Sequence, residues 1–246
     1  MGCNRSLALL LLLLFGAARQ ADAQTFGTAV AAGVANGSSI TQAYTVTTGS
    51  LLLVAAMGSD TAIQDRTITH VTYGGVALTK AVDRDDGTFE YVSLWYLDNP
   101  TAGAANVVAD SLPSGSVTDY GLVIVEVFGV DLTTRFGSSA VNSGTGTSAT
   151  TAGLTPTSDQ VIIAAIASDS QASLTESGTL LAEIQNVDSD SSYGMQSYSS
   201  TGGAITPTYT QNSTGWSMLA VILNGTSGAA PPVRRLPLLG VGGANY

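Results

Sequence analysis

Thr67-Ile68-Thr69-His70-Val71-Thr72-Tyr73-Gly74-Gly75-Val76-Ala77-Leu78-Thr79 reads as two β-strands joined by a tight turn. From Thr67 to Tyr73 polar and apolar residues alternate, the period of a half-buried strand. Gly74-Gly75 supplies two residues free to adopt positive φ, as a two-residue hairpin turn requires. Working outward, strand-like runs recur at short intervals between Gly, Asp, Asn, Ser and Pro. The sequence predicts strands over Thr25–Val34, Ser39–Val46, Leu51–Gly58, Thr67–Tyr73, Val76–Val82, Phe89–Leu97, Ala105–Ala109 and Tyr120–Phe128. A second set covers Val161–Ser168, Leu180–Val187, Tyr193–Tyr198, Ile205–Tyr209 and Trp216–Leu223. Leu51–Met57 and Leu122–Val125 are unbroken apolar runs and are expected to be central strands.

The second set echoes the first. Leu53–Asp60 matches Ile162–Asp169, and Val82–Asp85 matches Val187–Asp190. Tyr91 and Tyr96 match Tyr193 and Tyr198, and Tyr120–Gly129 matches Trp216–Gly225. Four blocks in the same order imply two similar halves, about 24–135 and 145–226. A second half standing alone would be small and without staples, so one domain over residues 24–226 is expected. Ser138–Ser158, rich in Gly, Ser and Thr, reads as the crossing between halves. An all-β, jelly-roll-like antiparallel β-sandwich follows.

Composition agrees with that fold class. The 246 residues are 44% hydrophobic and 11% charged, with 28 Gly and one Cys. Lys80 is the sole lysine, whereas a soluble helical protein normally covers its outer faces with Lys and Glu. Formal net charge is −10, and no cluster of Lys or Arg is present to neutralise phosphates, so nucleic acid is not an expected partner.

Residues 1–23 read as a secretory signal peptide. Arg5 gives the positive start, Leu7–Phe15 an apolar run too short to span a bilayer, and Ala21-Asp22-Ala23 a cleavage site. The mature chain would then start at Gln24, lack cysteine, and be secreted to the cell surface or beyond, with no membrane span. Residues 227–246 form a tail in which Pro231-Pro232 ends the strand pattern and Arg234-Arg235 adds local positive charge. Its apolar stretch Leu236–Val241 is suited to adding as a strand to a neighbouring copy. Asn36, Asn212 and Asn224 head glycosylation sequons, which matter only in a glycosylating host.

Three segments carry a resemblance: Val71–Thr79, Trp95-Tyr96-Leu97-Asp98-Asn99-Pro100, and Val127-Phe128-Gly129-Val130-Asp131. Over residues 25–225 the chain resembles a loosely defined group of jelly-roll-like β-sandwich domains. These occur in secreted bacterial and archaeal surface proteins and in phage structural proteins. The resemblance implies structural or binding roles outside the cell and supplies no catalytic residues.

Candidate chemistry is sparse. His70 is the only histidine, so any Ser-His-Asp site would be built on it, and no nucleophile elbow accompanies it. Asp83, Asp85, Asp86 and Glu90, with Asp188 and Asp190 in the second half, could pair as glycosidase carboxylates. All but Glu90 fall in turn-like segments, where Asp bonds its own backbone. Glu126 lies inside an apolar strand, and burying a carboxylate is costly unless it is partnered. Asp83–Gly87 departs from the spacing of a calcium loop, although calcium on carboxylate and carbonyl oxygens elsewhere is left open. Trp95 and Tyr91 could stack on a sugar ring if exposed, or fill a core, as could Trp216. No catalytic, cofactor-binding or metal-binding residue is assigned. The expected function is a non-enzymatic structural or adhesive subunit that associates with itself through strand edges. A carbohydrate-binding module acting on surface glycans is the alternative, with a glycoside hydrolase more distant.

Overall fold

The computed structural model describes residues 24–59, 67–87, 90–110, 118–170, 173–187 and 191–226. The expected signal peptide, the tail, Asp188 and Asp190 lie outside these residues. The first half contains β1 (Thr25–Phe26), β2 (Val30–Gly37), β3 (Ser39–Val46), β4 (Leu51–Ser59) and β5 (His70–Tyr73). It continues with β6 (Val76–Ala77), β7 (Thr79–Asp85), β8 (Glu90–Asp98), β9 (Gly103–Asp110) and β10 (Thr118–Phe128). The second half contains β11 (Phe136–Thr150), β12 (Gln160–Ser168), β13 (Thr175–Glu176), β14 (Thr179–Val187), β15 (Ser191–Ser199) and β16 (Thr208–Asn224).

All strand pairs between these elements are antiparallel. Sheet one runs β7-β8-β4-β10, with β1 and β2 both on the far side of β10. Sheet two runs β14-β15-β12-β16-β11, with β13 also on β16. Sheet three is β3-β9-β5-β6. The hairpin turn forms as expected: Thr72 pairs with Ala77 and Tyr73 with Val76. Gly74 and Gly75 hold φ of 56° and 81°.

The apolar runs are explained by burial on both faces. Leu51, Leu53, Ala55 and Met57 face sheet two, while Leu52, Val54 and Ala56 face sheet three. In β12, Val161, Ile163, Ala165 and Ala167 face sheet one. Ile162, Ala164 and Ile166 face the opposite way, beneath Ala149, Leu154, Leu174 and Tyr209. Three buried clusters result. One belongs to each half, and the third lies between sheets one and two. Sheets one and three of the first half pack on each other, and sheet one packs on sheet two of the second half.

The halves repeat in topology. β7-β8-β4-β10 has the strand order of β14-β15-β12-β16. Phe26 pairs with Val127 as Phe136 pairs with Leu223. A bulge falls between Lys80 and Val82, and another between Leu180 and Ala182. The edges are exchanged across the molecule. β2 lies on β14, where a Cβ on Gly33 would come within 2.8 Å of Val187. β11 lies beside β7, whose Arg84 donates to Ser143 Oγ at 3.1 and 2.8 Å. This exchange is the mark of an approximate two-fold relation.

Several expectations need correction. Leu53 faces sheet two, but its sequence match Ile162 faces away from sheet one. Tyr91 and Tyr193 are likewise on opposite faces, so matching by residue identity slips these strands by one, and a one-residue slip inverts a strand. By bulge position, Val82 corresponds to Ala182, not Val187. The stretch expected as a crossing, Ser138–Ser158, is mostly β11, a sheet edge whose polar side chains give no apolar period. Ile205–Tyr209 and Trp216–Leu223 are not two strands: Thr208–Asn224 is one, and Ile205 only bridges to Leu154. Among the described residues no helix is long and apolar enough to cross a membrane.

Candidate functional site

The best-built polar centre lies at one end of the first half, where three turns meet. β3 ends at Val46, and the chain turns through Thr47 and Gly49, the latter at φ 81°, into β4. β8 ends at Asp98; the next residue, Asn99, holds φ 45°, and its N–H donates to Ser50 O at 3.0 Å. The gap between β1 and β2 brings Gly27 and Thr28 alongside. Glu126, near the end of β10, points into this junction and is buried. Its Oε1 accepts from Thr47 N at 2.6 Å, Ser50 Oγ at 2.7 Å and Thr47 Oγ1 at 3.2 Å. The backbone N–H of Glu126 donates to Tyr44 Oη at 3.1 Å, and Tyr44 donates in turn to Thr28 O at 3.0 Å. Burial pushes the Tyr44 phenol above its ordinary pKa, opposed by the hydrogen bond from the Glu126 backbone and helped by the Glu126 charge. A Cβ on Gly27 would stand 3.3 Å from Glu126 Cβ, so the glycine makes room for the carboxylate.

A cleft of about 520 Å³ opens over this group, lined by Gly27, Tyr44, Thr47, Ala104, Glu126 and Phe128. A second cleft of about 480 Å³ shares Ala104 and is lined by Tyr73, Val76, Leu97, Asn99 and Pro100. Glu126 is the only carboxylate among the described residues of the first cleft. Asp98, in the second, is held by Arg135 through two bonds of 2.9 and 2.5 Å. Hydrolysis of a glycoside by two carboxyls needs a facing pair at a fixed separation, and among the described residues neither of these two clefts lines up one. Glu126 has no counterpart in the second half. It pairs with Leu52, whereas Ile222 occupies the equivalent place opposite Ile162.

The remaining candidates are scattered. His70 is exposed on β5, with Nδ1 at 3.0 Å from Thr69 Oγ1 and 3.4 Å from Asp110 Oδ1. Both neighbours approach the same nitrogen, which does not make a relay. Asp83 accepts from Lys80 Nζ at 2.5 Å and from Tyr91 Oη at 3.0 Å. Asp85 accepts from Gly87 N at 2.7 Å and Asp86 from Glu90 N at 3.0 Å, the self-bonding expected of turn aspartates. Glu90 is buried and accepts from Ser59 Oγ at 3.1 Å. Among the described residues no group of three or more His, Cys, Asp or Glu is placed to hold a metal ion.

The aromatic candidates are core. Trp95, Tyr91 and Trp216 are only 6%, 2% and 4% exposed. Trp95 Nε1 donates to Ser93 Oγ at 2.8 Å, and the Lys80 ammonium covers its ring at 5.7 Å. Burial, then the nearby Asp83 carboxylate, pushes the Tyr91 phenol far above its ordinary pKa. Compared with known protein families, curated proteins and solved structures, the chain matches none. The resemblance to secreted jelly-roll-like domains therefore rests on its motifs alone.

Proposed function

We propose that this chain is a secreted, non-enzymatic structural or adhesive subunit acting outside the cell or at its surface. In this reading it is built on a jelly-roll-like plan and associates with copies of itself. The observation that carries the reading is the burial of Trp95, Tyr91 and Trp216. A sugar-binding strip needs exposed rings, and these three are packed inside. The polar groups also favour a structural role, because Glu126 is occupied in fastening the Thr47–Ser50 turn. The export signal and the Ser, Thr and Gly surface fit a protein that works in the open.

The test uses protein recovered after export. Intact mass is expected to place the N-terminus at Gln24, and electron microscopy to show assembled particles. Tryptophan fluorescence is expected to stay unchanged across a panel of polysaccharides. Sugar-dependent quenching, or release of reducing ends that disappears in Glu126→Gln, would replace this reading with a glycan-directed one.

A further inference from the structure

The three large hydrophobic side chains exposed among the described residues all sit on strands that end a sheet. Val76 is on β6, Val141 on β11 and Leu180 on β14. An open edge presents unpaired N–H and C=O groups, and proteins commonly guard it with charge, bulges or cover. The edges here differ in protection. β7 carries Lys80, Asp83, Arg84 and Asp85 along with its bulge. β14 carries Glu183 and two register shifts in nine residues. β6 is two residues long. β2 is uncharged but lies on β14, and β3, also uncharged, buries Ile40, Tyr44 and Val46.

β11 itself carries no charge and no register shift along its middle, and the cover it has there is Arg84 of β7. Its 15 residues contain no charge and no proline. Between the register shifts at Phe136/Ser139 and Gly146/Ser148, the ladder to β16 is unbroken from Ser139 to Gly146. Val141 stands 40% exposed within that stretch. Arg84 reaches the strand from β7, but its guanidinium is held by Ser143.

We infer that β11 is a self-association edge, at which β11 of one copy pairs antiparallel with β11 of a second. This deepens the self-assembly part of the function proposed above and rests on it. A second copy fits for two reasons. An antiparallel ladder about a two-fold axis needs only the same uninterrupted strand twice. The chain also carries a net charge of −10, so two copies repel over most of their surfaces, and a long uncharged strip is where they can approach. Pairing β11 with β14 of the next copy would build an open filament, but the two shifts in β14 break the ladder that requires. The outcome is a closed dimer with sheet two continuous across both copies.

The test is sedimentation equilibrium on the full mature chain and on single charge substitutions at exposed positions. The wild type is expected to reach dimer mass, more readily as salt screens the net charge. Val141→Lys and Ser139→Lys should each weaken the dimer tenfold or more. Val76→Lys, Leu180→Lys and, in the tail, Leu238→Asp should leave it intact. Circular dichroism would confirm that every variant folds. If Leu180→Lys or Leu238→Asp dissociates the dimer while Val141→Lys does not, self-assembly stands and β11 is the wrong surface. If the wild type is monomeric at every concentration and salt tested, both β11 pairing and the self-assembling function fall.

Discussion

A single added methyl group tests how tightly the halves meet. A Cβ on Gly121 of β10 would lie 2.3 Å from Tyr193 Cδ2 and 2.6 Å from its Cγ. Tyr193, on the facing sheet, is fully buried, and its hydroxyl donates to Asp119 O at 2.9 Å, so the ring has nowhere to go. Gly121→Ala is expected to cost about 1–3 kcal/mol by overpacking, read as a lower midpoint in urea. Glu126 gives a second case. Glu126→Ala strips the acceptor from Thr47 N and Ser50 Oγ, and should cost about 1–3 kcal/mol in the same assay. Glu126→Gln keeps one oxygen there and should cost less. Glu126 was visible in the sequence as a carboxylate inside an apolar strand. Its partners were not, because Ser50, Thr47 and Tyr44 lie 76, 79 and 82 residues away along the chain.

Tyrosines set the response to alkali. The phenols of Tyr44, Tyr73, Tyr91, Tyr198 and Tyr209 are all pushed above their ordinary pKa of 10.0, with burial the largest cause in each. The unfolded chain ionises them near that ordinary value, while the folded chain holds them neutral. Their contribution is therefore complete below pH 10 and is lost as pH rises through the higher folded values. An ultraviolet titration should show these five among the nine tyrosines ionising late, together with loss of structure. Ionisation of all tyrosines near the ordinary value with the fold intact would contradict this.

Among the elements, those whose side chains dictate their surroundings were the legible ones. β4 and β10 read as central strands because both faces are covered, leaving no polar position in most of each run. The 72–77 hairpin was legible because its turn needs glycine. Gly75 holds φ 81° with open space where a Cβ would stand, so only backbone strain opposes a side chain. Gly75→Val should cost about 1–2 kcal/mol, and Gly75→Asn distinctly less, compared by thermal melting. β11 was illegible for the opposite reason: an exposed edge needs no apolar side chains, so its sequence looks like a linker. One clue was present in Phe26-Gly27 and Phe136-Gly137, which begin the corresponding edges of the two halves. The identities that revealed the repeat gave the wrong register for β4 and β8, because small apolar residues line both faces and a shift by one still matches like with like.

At the scale of the molecule, the question is whether two similar halves behave as one. The chain crosses between them through residues 129–135, and the crossing is tied down. Arg135 forks onto Asp98 and lies 4.7 Å over the Tyr96 ring, which meets Phe136 edge-on at 5.1 Å. From the other direction, Gln24 donates its amide to Asp159 O at 2.9 Å and Leu223 O at 3.1 Å. The larger tie is the cluster between sheets one and two, to which Leu53, Val123 and Val125 contribute from the first half and Ile163, Leu219 and Val221 from the second. Each half without the other would expose this face to water, a cost that grows with the apolar area uncovered. The two tryptophans allow a direct reading, since Trp95 lies in the first half's own core and Trp216 in the second's. Trp95→Phe and Trp216→Phe each leave one native probe, and the two fluorescence transitions in denaturant should coincide, as two-state unfolding requires. Leu53→Ala removes buried volume from the shared cluster alone, at about 2–5 kcal/mol, and should lower both midpoints together. Separate transitions for the two probes, or a Leu53→Ala effect confined to Trp95, would mean that the halves unfold independently and that the packing between them is incidental.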